Sequence, residues 1–282
     1  MASAVTPSVV WINGEILPVD EARISPLDHG LLVGDGVFET MRCTAGLVFA
    51  FDRHMHRLAD GCSRMRIVAP TPAEIERAID ELLSACALIN ARIRVTVTSG
   101  DGPLGSDRGS ECSTLTVMAS PLPTWPSETA IAMSPWTRNP NSPTAGIKTT
   151  SYADNVLALD EAHRHGAAEA VFFNTRGELC EGTGSNIFLI IDDVLHTPPL
   201  LSGCLAGVTR ALVLEQAAAL EISHSEVPLF EGDLAACEEA FLTSTTRTLQ
   251  PIATIDDRAL AHTAGPIFAR LLTAYNELPH RA

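Results

Sequence analysis

The apolar patterning of this chain predicts an α+β protein in two domains. Three observations carry that expectation. Short β-branched runs such as 93–98 alternate with Gly and Asp turns. Amphipathic helical stretches at 52–65 and 72–86 lie among them, and a proline-rich break at 121–126 separates this pattern from a second series of strands and helices.

In chain order, residues 9–15 read as a strand and turn, followed by the loop Ser25-Pro26-Leu27-Asp28-His29-Gly30. The segment Gly34-Asp35-Gly36-Val37-Phe38-Glu39-Thr40-Met41-Arg42 reads as buried and sheet-like, and after the two helices come strands at 93–98 and 114–118. Proline lacks the amide proton a helix needs, so Pro121-Leu122-Pro123-Thr124-Trp125-Pro126 cannot be helical. It marks 121–127 as a linker between a small domain, 1–120, and a larger one, 128–282. The second domain reads as a strand at 130–133, a long helix at 153–165, strands at 169–173 and 186–191, a helix from Val208 and a strand at 239–243. No internal repeat is visible.

The 282 residues carry a net charge of -15 with a pI near 4.9, which argues against nucleic-acid or anionic-membrane partners and for small-molecule chemistry. The first residues lack the basic start and apolar run of a signal peptide, and no apolar stretch reaches membrane-spanning length, so a cytoplasmic protein is expected. Seven scattered cysteines without a C-x-x-C pair suggest reduced packing thiols and no metal site.

One count stands out. Of the 19 basic residues, 18 are arginine and one, Lys148, is lysine. A guanidinium stays protonated, whereas an amine can lose its proton when buried and condense with an aldehyde. Pyridoxal 5'-phosphate (PLP) needs such an amine, an anion site for its phosphate, a carboxylate for its pyridine nitrogen and an apolar wall for its ring. Lys148 lies in Ala145-Gly146-Ile147-Lys148-Thr149-Thr150, read as a strand end before the long helix.

Candidates exist for the remaining needs. Glu181 precedes a small-residue turn in Glu181-Gly182-Thr183-Gly184-Ser185-Asn186 and is the carboxylate candidate, although a capped turn with an exposed glutamate fits the same pattern. Leu205-Ala206-Gly207-Val208-Thr209-Arg210 places a glycine at a helix start, where backbone amides favour an anion. Arg57 offers positive charge from the first domain. The hydroxyl run Thr243-Ser244-Thr245-Thr246 leaves a strand where phosphate or carboxylate binding is common, as is a plain polar turn.

Taken together, Gly34 to Glu39, His54-x-x-Arg57-Leu58, Lys148, Glu181-Gly182-x-Gly184-x-Asn186-x-Phe188, Gly207-Val208-Thr209-Arg210 and Thr243 to Thr246 resemble the fold-type IV PLP enzymes. These are the class IV aminotransferases and aminodeoxychorismate lyases, and the likeness spans roughly Trp11 to Ile255. The resemblance implies a small N-terminal α/β domain and a larger C-terminal domain with a barrel-like sheet. It also implies that Lys148 is the Schiff-base lysine and proton shuttle and that Glu181 pairs with the pyridine nitrogen. Arg57, Val208, Thr209 and Thr245 match the phosphate binders, Leu205 the residue on the ring, and Tyr152 the tyrosine at the cofactor hydroxyl. A homodimer acting on an amino donor and a 2-oxo acid acceptor is implied as well.

The substrate is less defined. Ser99 stands where D-amino acid enzymes of this family carry an arginine for the carboxylate, while Arg108 in the glycine-rich loop resembles the lyase branch. Arg42 and Arg94 match arginines of the branched-chain enzymes, but Val33 and Arg92 replace accompanying tyrosines. Ser244 and Thr246 complete the expected substrate contacts. The spacing from Lys148 to His165-Gly166 matches the D-amino acid and lyase branches better. The expectation is therefore an aminotransferase with D-amino acids as leading donors; the lyase is the alternative, followed by branched-chain or (R)-amine transamination.

Overall fold

The computed structural model describes residues 8–109 and 112–280. The chain forms two compact units. One holds the residues up to Thr124, Ile147–Tyr152 and the stretch from Pro279; the other holds Trp125–Gly146 and Ala153–Leu278. Among the described residues, no helix is long and apolar enough to cross a membrane.

The first unit contains β1 (Val9–Ile12), β2 (Glu15–Pro18), α1 (His29–Leu32), β3 (Gly36–Thr44), β4 (Leu47–Val48), α2 (Phe51–Met65), α3 (Pro72–Cys86), β5 (Ala91–Thr98) and β6 (Thr114–Pro121). The strands form an antiparallel sheet in the order β2-β1-β6-β5-β3-β4. Alternation decides what each face presents. Val37, Met41, Ile93, Val95 and Val117 pack with Met55, Leu58, Ile75, Ile79 and Leu82 of the two long helices. The other face of the same strands carries Phe38, Thr40, Arg42, Arg92 and Arg94, with Arg94 directly across from Thr40. Helix α3 starts where Thr71 accepts the Glu74 amide, 3.2 Å, and Pro72 fills the first position, where a missing N–H costs nothing.

The second unit contains β7 (Thr129–Met133), α4 (Ala153–Arg164), β8 (Glu169–Phe173), β9 (Leu179–Gly182), β10 (Asn186–Ile191), β11 (Val194–Thr197), α5 (Val208–Ala219), β12 (His224–Glu226), α6 (Glu231–Ala236), β13 (Glu239–Ser244), β14 (Thr248–Ile255), β15 (Arg258–Ala259) and α7 (Pro266–Asn276). Its curled, mixed sheet runs β12-β11-β10-β13-β14-β7-β8-β9, with β15 on β14. The expected α+β class and barrel-like sheet are both present.

Two local expectations change. Lys148 is not at the end of a regular strand; it lies in an extended segment that the first unit's sheet holds in place. The Phe38 amide donates to the Lys148 carbonyl (2.8 Å), the Thr150 amide to the Gly36 carbonyl (2.9 Å) and the Thr149 hydroxyl to the same oxygen (3.0 Å). Gly36 is needed for this approach, because a Cβ there would meet the Val97 carbonyl at 2.9 Å and the Thr150 hydroxyl at 3.0 Å. Glu181, expected before a strand, lies within β9 opposite Phe172.

Candidate active site

In the first unit, the polar-facing side of the sheet gathers around Phe38. The Lys148 amine sits 4.4 Å from the centre of its ring and the Arg94 guanidinium 3.7 Å, while Tyr152 meets the ring edge-on with centroids 5.4 Å apart. Lys148 also lies 5.9 Å from the Tyr152 ring centre. Two cations over one aromatic ring are stabilised by its quadrupole. Arg94 is braced by a hydrogen bond to Thr96, 3.3 Å. Burial pulls its pKa below the ordinary arginine value, with Tyr152 opposing and Arg92 reinforcing the shift. Arg42, on the same strand face as Phe38, stacks instead on Phe49, 4.7 Å from its centre.

Behind this surface, on the apolar face, lies a carboxylate that sequence reasoning did not assign a role. Glu39 is fully buried and accepts hydrogen bonds from Arg57 Nε and Nη2, both 2.7 Å, and from His54 Nδ1, 2.8 Å. Burial pushes its pKa up, but the Arg57 charge, the Arg57 hydrogen bonds and those of His54 outweigh it and hold the carboxyl far below its ordinary range. Burial likewise lowers the His54 pKa, Glu39 opposing. The imidazole is thus neutral with its proton on Nδ1, and its Nε2 is buried without a hydrogen-bond partner. Arg57, the candidate phosphate cation, is therefore held in one plane by a bidentate carboxylate.

In the second unit, one Glu181 oxygen accepts the Leu205 amide at 2.9 Å, joining the carboxylate candidate to the residue matched to the cofactor ring. The other oxygen lies 3.7 Å from Arg138 Nε, an ion contact too long for a hydrogen bond. Arg138, held over Phe172 at 4.2 Å, was not marked by any sequence pattern. Helix α5 starts at Gly207 with no side-chain cap, so the amides of Val208 and Thr209 and the positive end of the helix dipole are available to an anion. A Cβ on Gly207 would clash with Asn186 Oδ1, while the Asn186 side-chain amide donates to the Leu205 carbonyl at 2.9 Å. Thr245 and Thr246 occupy the turn between β13 and β14, where Ser244 pairs with Thr248.

In the glycine-rich loop, the arginine that resembled the lyase branch has partners within its own unit. Arg108 donates from Nε and Nη2 to both oxygens of Asp35, each 2.7 Å, and from Nη1 to the Arg66 carbonyl, 2.9 Å. Its guanidinium anchors the loop.

Each unit by itself holds groups whose chemistry suits PLP: the first an amine beside aromatic rings, the second an uncapped helix start and a carboxylate with a fixed orientation. A family model described as amino-transferase class IV matches residues 36–255. The chain is 36% identical over 256 residues to a putative branched-chain-amino-acid aminotransferase of Methanocaldococcus jannaschii, covering 89% of each protein. Among solved structures, the branched-chain amino acid aminotransferase of Escherichia coli superposes with a TM-score of 0.91 at 28% identity, covering 97% of this chain and 95% of that one. A T.th. branched-chain amino acid aminotransferase complexed with N-(5'-phosphopyridoxyl)-L-glutamate gives 0.89 at 29% identity, covering 97% and 94%.

Proposed function

The chain belongs to the class IV aminotransferase family and is a PLP-dependent enzyme; on that premise we propose that it moves the amino group of a branched-chain L-amino acid to 2-oxoglutarate. The observation that carries this reading is the pairing of the Lys148 amine and the Arg94 guanidinium over the Phe38 ring. It sets a base beside a carboxylate-binding cation on an aromatic floor that suits an aliphatic side chain. The names of the relatives support the same substrate class. A D-amino acid donor, the leading expectation from sequence, draws no support from those names; Arg108, which resembled the lyase branch, is engaged with Asp35.

PLP, when bound, supplies an electrophilic carbon and an electron sink. Lys148 would hold it through its amine and, once freed, would serve as the base that takes the substrate α-proton and the acid that returns it. Glu181, held in orientation by the Leu205 amide, would keep the pyridine nitrogen protonated. Arg57, Val208, Thr209 and Thr245 would hold the phosphate, Leu205 would pack on the ring and Tyr152 would reach the cofactor hydroxyl. Arg94, with Arg42, Ser244 and Thr246, addresses the substrate carboxylates.

The test offers holoenzyme L-leucine, L-valine or D-alanine with 2-oxoglutarate, and separately aminodeoxychorismate. Glutamate from L-leucine with kcat/KM at least about tenfold above D-alanine is expected. Faster turnover of D-alanine, or release of p-aminobenzoate, would contradict it. A homodimer is part of the reading, supported by the exposed apolar residues Ile24, Leu27, Leu31, Leu32 and Val33. An active monomer in sedimentation would overturn that part.

A further inference from the structure

The second unit contains a buried ion pair with no part in the chemistry above. Glu169 opens β8 and Arg247 closes the turn between β13 and β14; their side chains are 3% and 5% exposed, and Nη2 stands 3.3 Å from Oε2. The guanidinium also stacks on Trp125, 4.3 Å from its centre, and its Nη1 is buried without a hydrogen-bond partner. The Arg247 amide donates to the Ser244 hydroxyl, 3.3 Å, which tightens the turn that carries Thr245 and Thr246.

The carboxylate reaches into the other cofactor segment. Glu169 Oε1 accepts the Thr183 amide at 3.0 Å, the Thr183 hydroxyl, and its neighbour's amide at Ala170, 3.2 Å; Oε2 accepts the Ser185 hydroxyl at 3.1 Å. Thr183 and Ser185 belong to the turn that leaves Glu181, and its far end, Asn186, pairs with Thr243. One carboxylate therefore fixes the Glu181 turn, and through one ion contact it also meets the Thr245 turn. Apolar residues could hold this sheet together at lower desolvation cost, so the specific return of the pair is a set geometry.

We propose that Glu169 and Arg247 are positioning residues that hold the Glu181 turn and the Thr245 turn in the spacing PLP requires. The proposal rests on the reading that Glu181 and Thr245 bind the cofactor. Neither Glu169 nor Arg247 is among the residues assigned to hold it.

The experiment titrates apoenzyme with PLP, following the cofactor's absorbance, with circular dichroism as the check on folding. Arg247→Gln and Glu169→Gln should each raise the Kd for PLP about tenfold or more, because each strands one charge in the interior. The double variant leaves no lone charge but also lacks the contact between the turns, so its Kd should stay raised, by clearly less than the product of the two single losses. Singles that fold and bind PLP as wild type does, or a double variant whose loss is the product of the single losses, would overturn the proposal. Where Arg247→Gln does not fold, Arg247→Lys carries the test: it keeps the charge but loses the fork and the indole stacking, so a Kd raised severalfold supports the pair and an unchanged Kd refutes it. Glu181→Gln separates the two layers of inference. If it leaves the Kd and absorption band unchanged, the underlying cofactor reading fails. If it weakens binding while Arg247→Gln does not, the positioning pair alone fails.

Discussion

Lys148→Ala is expected to give a folded protein whose transamination of L-leucine falls by roughly ten-thousandfold or more, since one amine is lost both as cofactor anchor and as acid-base group. No other lysine exists to take its place. The fold should survive, because the segment is held by backbone and hydroxyl contacts to Gly36 and Phe38 that do not involve the amine. Lys148→Arg should be as inactive, since a guanidinium does not release its proton or condense with an aldehyde. Steady-state rates with circular dichroism check both variants; activity within tenfold of wild type in either would contradict the assignment.

The second large effect concerns stability. Glu39→Ala leaves the part-buried Arg57 and the buried His54 without their carboxylate, and unfolding free energy should drop by about 3–5 kcal/mol. The pH dependence has a definite sign. The folded pKa of Glu39 lies below the ordinary value of 4.5, so its contribution is complete above that value and is lost as pH falls toward the folded pKa. Urea denaturation of wild type should therefore show stability declining below about pH 4.5, with a shallower decline in Glu39→Ala. Equal stability of the two proteins at neutral pH would contradict this role.

What could be read from the sequence followed local rules. Strands β3 and β5 announce themselves by alternation, α3 by Thr71-Pro72, and Lys148 by being the single amine among guanidiniums. What escaped depends on partners distant in sequence. Nothing local says that Glu39 meets His54 and Arg57, that Arg108 meets Asp35, or that Glu169 meets Arg247. Strand β9 is four residues with a charge inside it, and β14 carries Pro251, which local propensity reads against a strand. Arg138 has neither motif nor spacing to mark it; only its approach to Glu181 does.

The most direct measurement is borohydride reduction of the holoenzyme followed by peptide mass analysis. Reduction should fix one phosphopyridoxyl group to the peptide containing Lys148 and to no other. A holoenzyme that reduces without labelling Lys148, or that carries the group on the N-terminal amine instead, would contradict its role as the anchor of the cofactor.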